Sequence, residues 1–367
     1  MAVNLAAKYS DKIAKGFSLA SVVDGRTNKD YNFTGVRSIS IYTPVTQPLN
    51  DYQRSGTSRY GTPTEMQDTV QEMILSRDRS FAITIDAGNN GEQLDTKEAS
   101  KMLALEMDEQ VVPEMDKYAL RRYGEYAGKV FAITDTVSKT NIVELLAAGM
   151  VHMSNQNVPA NGRTIYITWT NFGYLRLSTE FIGNDDLGKK VLVKGQLGEF
   201  MGAAVVPVPD DYLKKSDNGK AHFLITHSRS VMQPKKIQDY FVKHNPPGIN
   251  GALLEGRFIY DAFVLGAKAD GVYAGVAGTA AQQAAPTNTY TSATKSMAAA
   301  STSASKIRYT LDGTDPRYSK TALEAAGASA TVDLTAYAGT TVTFKSVAMS
   351  ATLYTSNVTT TTQAVAS

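Results

Sequence analysis

The chain has 367 residues, 43% of them hydrophobic and 20% charged, with a formal net charge of +2. That length favours two or three domains, and so small a net charge argues against a general nucleic-acid binder. The absence of cysteine excludes disulfides, zinc–thiolate sites and thiol catalysis, and makes the chain indifferent to a reducing cytoplasm.

Residues 1–30 read as an arm. Ser10 is placed to cap a short helix with Ile13, Phe17 and Ala20 on one side. So few apolar groups cannot hold a domain together, so the arm must lie on something larger. Lys8, Asp11, Lys12 and Lys15 interrupt any signal-peptide core, and no apolar run is long enough to cross a bilayer.

Residues 31–90 read as a projecting hairpin. Val36 to Tyr42 alternates as a strand, and Ile74 to Ile85 reads as its return. The connection between them carries prolines at 44, 48 and 63, glycines at 56 and 61, and the aromatics Tyr52 and Tyr60. A loop this long inside a compact domain either counts against the assignment or signals function. Fully paired, the ribbon would span roughly 30–40 Å. An isolated two-stranded ribbon is marginal in water, so it gains order by lying across another subunit. Its expected contact residues are Tyr52, Arg54, Arg59 and Tyr60 at the tip, with Arg77 and Arg79 on the second arm.

Leu94 to Tyr123 reads as one long helix. Asp95 and Glu98 form a capping box, and Ala99, Leu103, Met107, Val111 and Tyr118 recur at helical spacing. Pro113 removes a donor, which predicts a bend between Glu109 and Val112. Glu106, Asp108 and Glu109 belong to an acidic first part, and Lys117, Arg121 and Arg122 to a basic end. A second helix is expected over Thr140–Asn155. Strands are expected at 164–169, 191–193, 203–209 and 221–226, with Thr170 capping a short helix to Leu177. This alternation makes 139–235 a mixed α/β domain. Arg257–Leu265 and Gly271–Val276 read as an antiparallel pair beneath the long helix. Residues 277–305, rich in Ala, Thr and Ser, read as a linker with room for a first strand, and 306–367 as a small all-β domain.

The chemistry searched for is mostly missing. His152, His222, His227 and His244 form no metal pair on a helix face. Gly183 to Lys190 has the glycine and lysine spacing of a phosphate loop. Lys190 stands where Ser or Thr would hold magnesium, Asp185 and Asp186 repel phosphate, and the following segment reads as strand. Asp185-Asp186 and Asp210-Asp211 read as loop residues rather than a glycosidase pair. No Ser-His-Asp or nucleophile-elbow pattern is present in the sequence.

Taken in order, residues 50–90, the following helix with VVPEMDKY, 195–209 and 235–265 resemble the major capsid proteins of tailed bacteriophages. The resemblance covers about 1–276. It implies an α+β subunit with the two-domain coat fold named for a Hong Kong phage. The N-terminal arm would be 1–30 and the extended loop 31–90. The peripheral domain, with its spine helix, would be 91–138 and return at 236–276, and the axial domain would be 139–235. Separately, YTLDGTDPRYS (309–319) looks like a turn motif of small immunoglobulin-like domains appended to chitobiases and bacterial surface proteins. That resemblance implies that 306–367 would be an immunoglobulin-like domain on the outer face. The resemblance implies a structural coat protein of the virion, assembled in the host cytoplasm, with no enzymatic activity and no cofactor. Its partners would be copies of itself in hexamers and pentamers, a portal, scaffolding or cement proteins, and packaged double-stranded DNA by weak non-specific contact, with no membrane. An acidic stretch at Glu106, Asp108 and Glu109 facing the lumen would let DNA slide. The competing expectation is a carbohydrate-binding adhesin. A coat protein would be expected to assemble without 277–367.

Overall fold

The computed structural model describes residues 21–31, 33, 37–46, 49–63, 65–66, 68–88, 99–178 and 198–366. The helix expected after Ser10, the Asp95–Glu98 capping box, the 183–190 loop and the strand at 191–193 lie outside them.

A six-stranded mixed sheet organises the body. Its order is β4 (Lys129–Ile133), β13 (Val272–Ala277), β8 (Ala221–His227), β5 (Arg163–Thr168), β7 (Ala203–Val208) and β6 (Glu199–Phe200). Both faces are covered, so β5 is buried at all six positions. Side chains alternate between two cores along the inner strands β13, β8, β5 and β7. Ile165, Ile167, Val205, Phe223, Ile225 and Tyr273 meet one core, shared with α3 (Ile142–Asn155) and α4 (Trp169–Leu177). Tyr166, Val206, Leu224, Val272 and Ala274 meet the other, shared with the long helix.

That long helix is continuous among the described residues but not uniform. It runs as α1 (Ala99–Glu106), a π-helical turn (Met107–Val111) and α2 (Val112–Glu125). The Val112 N–H reaches back five residues to the Met107 carbonyl. Pro113 explains the site: it donates no N–H and its ring crowds the carbonyl four residues back, that of Glu109. The expected interruption is present, as a widened turn. α2 buries Met115, Tyr118, Ala119, Leu120 and Tyr123 against the sheet.

The hairpin expectation needs correction. β1 (Ser38–Pro44) pairs with β2 (Asp68–Ile74), from Ser38↔Ile74 to Pro44↔Asp68. The presumed return strand breaks at Leu75-Ser76. Its second half, β3 (Arg77–Asp86), joins β11 (Gly251–Tyr260) and β10 (Lys235–His244) in a separate antiparallel sheet, covered by α1 through Leu103. Asp261 makes the break: it accepts from the Ser76 N–H and Oγ at 2.8 Å each, and from the Tyr118 hydroxyl at 2.8 Å. The paired ribbon is thus about 23 Å long at 3.3 Å per residue.

Three further expectations change. Arg257–Leu265 and Gly271–Val276 do not pair with each other: β11 ends at Tyr260 in the three-stranded sheet, and β13 enters the six-stranded one. Phe263-Val264 forms a two-residue strand, β12, against β9 (Val231–Met232). The six-stranded sheet draws β4 and β13 from outside 139–235, with β13 paired between β4 and β8. Finally, α4 starts at Trp169 and is capped by Thr168, whose hydroxyl accepts from the Asn171 N–H at 3.3 Å.

The supposed linker is largely structure. β14 (Thr287–Thr291) and β15 (Ser296–Ala300) form a hairpin that pairs with β18 (Ser329–Asp333). The second sheet runs β17 (Leu323–Ala326), β16 (Lys306–Thr310), β19 (Thr341–Met349) and β20 (Thr359–Ala364). Both sheets are antiparallel and enclose one core, with Met297, Ala299 and Val332 facing Ile307, Val342 and Phe344. Small side chains hid this hairpin in the sequence, because Met297 and Ala299 give only a two-point alternation.

Candidate assembly surfaces

The ribbon is anchored at its base and bare beyond it. Ile41 and Met73 are buried with Phe33, Leu75, Met232 and Leu265. Past Ile41, the large apolar side chains Tyr42, Val45, Leu49, Tyr52, Tyr60 and Met66 are all exposed, Leu49 fully and Tyr60 by 85%. The tip has its own order. Tyr52 and Tyr60 meet edge to face at 5.1 Å, and the Gln53 N–H donates to the Arg59 carbonyl at 3.0 Å. The Arg59 Nε–H donates to the Gly56 carbonyl at 3.2 Å. Arg54 and Arg59 are both exposed. Large apolar side chains exposed beside charged ones are a mark of an interaction site.

Arg77 and Arg79 are not part of that surface. The Arg77 guanidinium lies over the Tyr118 ring at 4.5 Å, and Arg79 stands 4.0 Å from Glu114. Both are turned to the long helix of their own subunit, because β3 belongs to the three-stranded sheet. Glu106 closes α1, and Asp108 and Glu109 sit in the π-helical turn. Asp108 is exposed, Glu106 and Glu109 half-buried, and Glu109 Oε1 is buried with no hydrogen-bond partner among the described residues.

Asp210, Asp211 and His227 are structural ties, and Asp185 and Asp186 lie outside the described residues. The Asp210 carboxylate accepts from the Thr170 hydroxyl at 2.6 Å, and Asp211 pairs with Lys117 and with Arg121. The His227 Nδ1 accepts from the Arg229 N–H at 3.2 Å, so its Nε2–H donates to the Asn161 carbonyl at 3.0 Å. Burial pushes the pKa values of His222 and His227 down. Among the described residues no three His, Asp or Glu side chains converge as a metal site. No described helix is long and apolar enough to cross a membrane.

Two attachments escaped the sequence reading. The end of the arm is one: Val22 and Val23 enter the body's core, and Asp116 accepts from the Ser21 hydroxyl at 2.8 Å and the Val22 N–H at 2.7 Å. Burial pushes the Asp116 carboxyl up, against those hydrogen bonds. The seam between the C-terminal module and the body is the other. Tyr318 and Tyr354 belong to the same core as Leu120 and Tyr123. The Tyr354 hydroxyl donates to the Leu213 carbonyl at 2.8 Å, and a Cβ on Gly124 would lie 2.7 Å from the Tyr354 ring. Lys215 Nζ donates to the Ser350 and Leu353 carbonyls at 2.8 and 2.9 Å and to Glu125 at 2.9 Å. Burial opposes ionisation of Glu125, but the Lys215 and Arg122 charges outweigh it and hold the carboxyl below the usual range. The module is therefore fixed to α2. Its removal would uncover two tyrosines' worth of core, so the expectation that 277–367 is dispensable loses its basis. In the sequence, Arg317 and Tyr318 lie within the 309–319 turn motif, and nothing local marks them as contacts to the body.

No family model matches the chain, and no curated protein matches it in sequence. Solved phage structures match its fold. A chain from "Capsid structure of the Cyanophage P-SCSP1u" aligns with a TM-score of 0.60 at 13% identity, over 75% of this chain and 93% of that one. A chain from "Asymmetric unit of bacteriophage PhiM1 mature capsid" aligns at 0.58 and 10% identity, over 76% and 93%. A chain from Mycobacterium phage Che8 aligns at 0.58 and 16% identity, over 74% and 98%. The fold is that of phage capsid proteins, mixed α/β with few helices and many strands.

Proposed function

We propose that this chain is the major capsid protein of a tailed phage. Its copies assemble, as hexamers and pentamers, into the icosahedral shell of the virion that encloses double-stranded DNA. The observation that carries the reading is the ribbon: six large apolar side chains beyond Ile41 are exposed, on a fold shared with capsid chains. Tyr52, Arg54, Arg59 and Tyr60 meet a neighbouring copy in this reading. The arm, the ribbon, the α1–α2 spine with the three-stranded sheet, and the six-stranded sheet take the parts of N-arm, extended loop, peripheral domain and axial domain. The C-terminal module, whose two antiparallel sheets around one core suit an immunoglobulin-like domain, stands on the outer face. A portal and scaffolding or cement proteins complete the particle, which assembles in the host cytoplasm. Glu106, Asp108 and Glu109 line the lumen, and their charge keeps contacts with DNA weak. The protein acts by binding copies of itself, without catalysis. Electron microscopy of the purified, undigested protein tests the reading. Closed shells or capsomers support it; discrete monomers that bind carbohydrate reject it in favour of an adhesin.

A further inference from the structure

The turn between β16 and β17 is wedged between two parts of the chain remote in sequence. On one side, Arg317 inserts its guanidinium into the body. It donates to the Ala127 carbonyl at 2.5 Å and the Gly128 carbonyl at 3.1 Å, while Asp315 neutralises it at 2.7 Å. The neighbouring Tyr318 hydroxyl donates to the Tyr126 carbonyl at 2.5 Å. On the other side the same turn grips the ribbon. The Lys320 N–H donates to the Val70 carbonyl at 2.9 Å, and Lys320 Nζ stands 3.4 Å from Glu72. Between these contacts, Gln71 donates to the Val264 carbonyl at 2.9 Å and accepts from the Gly266 N–H at 2.7 Å. Gly266 leaves no space to spare, since a Cβ there would lie 2.6 Å from that of Tyr318.

We propose that the Asp312–Thr321 turn is an interaction surface whose partner is the base of the chain's own ribbon, and that it sets the angle at which the ribbon leaves the body. A two-stranded ribbon has little stiffness of its own. The apolar contacts of Ile41 and Met73 hold it at one place, which alone makes a hinge. The module holds the same stretch of strand from other sides, through Glu72 on the face opposite Met73 and through the Val70 carbonyl on the strand's edge, and attachments on different sides define a direction. Because Arg317 and Tyr318 fix the turn to the end of α2, the ribbon is oriented relative to the long helix. The module thereby becomes a determinant of assembly, a consequence that rests on the coat-protein reading; the bracing itself does not.

Hydrogen exchange on full-length, unassembled subunits tests the brace. Arg317→Gln, which removes the guanidinium's ties to the body and loosens the turn, should speed exchange of the amides of 38–43 and 68–74 about tenfold and leave 163–168 unchanged. Lys320→Glu and Glu72→Lys should each speed the ribbon amides severalfold. The double variant, which restores the pair with reversed polarity, should return them to within about twofold of wild type, an outcome that general misfolding of the module would not produce. Unchanged ribbon exchange in Arg317→Gln and both single reversals overturns the proposal, as does a double variant no better than the singles. Shell yield then reads the consequence: it should fall in the singles and recover in the double, and equal yields throughout overturn the link to assembly. A wild-type protein that forms no shells refutes the coat-protein reading while the exchange result still stands.

Discussion

Glu125→Gln removes one charge from the seam between module and body while keeping the side chain's shape. Glu125 stands 2.9 Å from Lys215 and 3.1 Å from Arg122, and all three side chains are at most about a quarter exposed. Removing one partner of a buried ion pair costs about 3–5 kcal/mol. Lys215 keeps the Ser350 and Leu353 carbonyls, and glutamine keeps one acceptor oxygen, so the lower end applies, about 3 kcal/mol. At about 2–4 °C per kcal/mol, the unfolding midpoint should fall by roughly 6–12 °C. The effect should also depend on pH. The folded carboxyl titrates below its unfolded value, so its contribution is complete above about pH 4.3 and is lost as pH falls through the folded pKa. Wild type and variant should therefore converge in acid. Thermal unfolding of dilute, unassembled subunits, followed by circular dichroism at pH 7 and near pH 3, measures both gaps. Equal midpoints at pH 7, or a gap of the same size in acid, would refute the assignment of the seam to this ion pair.

Other expected outcomes are shorter to state. Gly128→Ala places a Cβ 2.3 Å from the Ala269 carbonyl oxygen; backbone cannot swing aside, so urea titration should register a loss of about 3 kcal/mol. Tyr52→Ala with Tyr60→Ala removes only an exposed aromatic pair, so subunit stability should change by about 1 kcal/mol or less, while sedimentation should show a clear drop in shell yield. Retained yield would exclude the ribbon tip as a contact. Glu106→Lys, Asp108→Lys and Glu109→Lys together should leave subunits folded and shells formed but reduce their DNA content, measured by absorbance ratio; full heads would remove these residues from the lumen.

Much of the architecture was legible where residues alternate or recur regularly. The long helix, α3, β5, β7 and β8 were all visible, because their apolar positions are dense enough to fix the period. Pro113 marked the interruption of the helix through covalent chemistry alone. What escaped were partnerships. Nothing local distinguishes Arg77–Asp86 as the partner of Gly251–Tyr260 from a continuation of the ribbon; the buried Asp261 carboxylate that breaks the strand at Ser76 is 185 residues away. The Ala- and Ser-rich β14–β15 hairpin was read as linker because its core contribution rests on Met297 and Ala299. The candidate site divided the same way. The exposed aromatics and arginines of the ribbon tip stand out as residues a solvated loop has little use for, whereas nothing local showed that Arg77 and Arg79 pack toward Tyr118 and Glu114 of the long helix.

The sequence by itself determined the helices and strands whose apolar positions recur regularly, and that a long stretch around Tyr52 and Tyr60 lacked the apolar density to fold alone, because those properties follow from short-range periodicity and backbone chemistry. Only the tertiary structure decided that β4 and β13 close the main sheet, that Tyr318 and Tyr354 complete its core, and that a turn more than 240 residues downstream grips the ribbon through Val70 and Glu72. Those contacts depend on shape matching between surfaces that meet after the local elements exist, and such matching leaves no period in the chain.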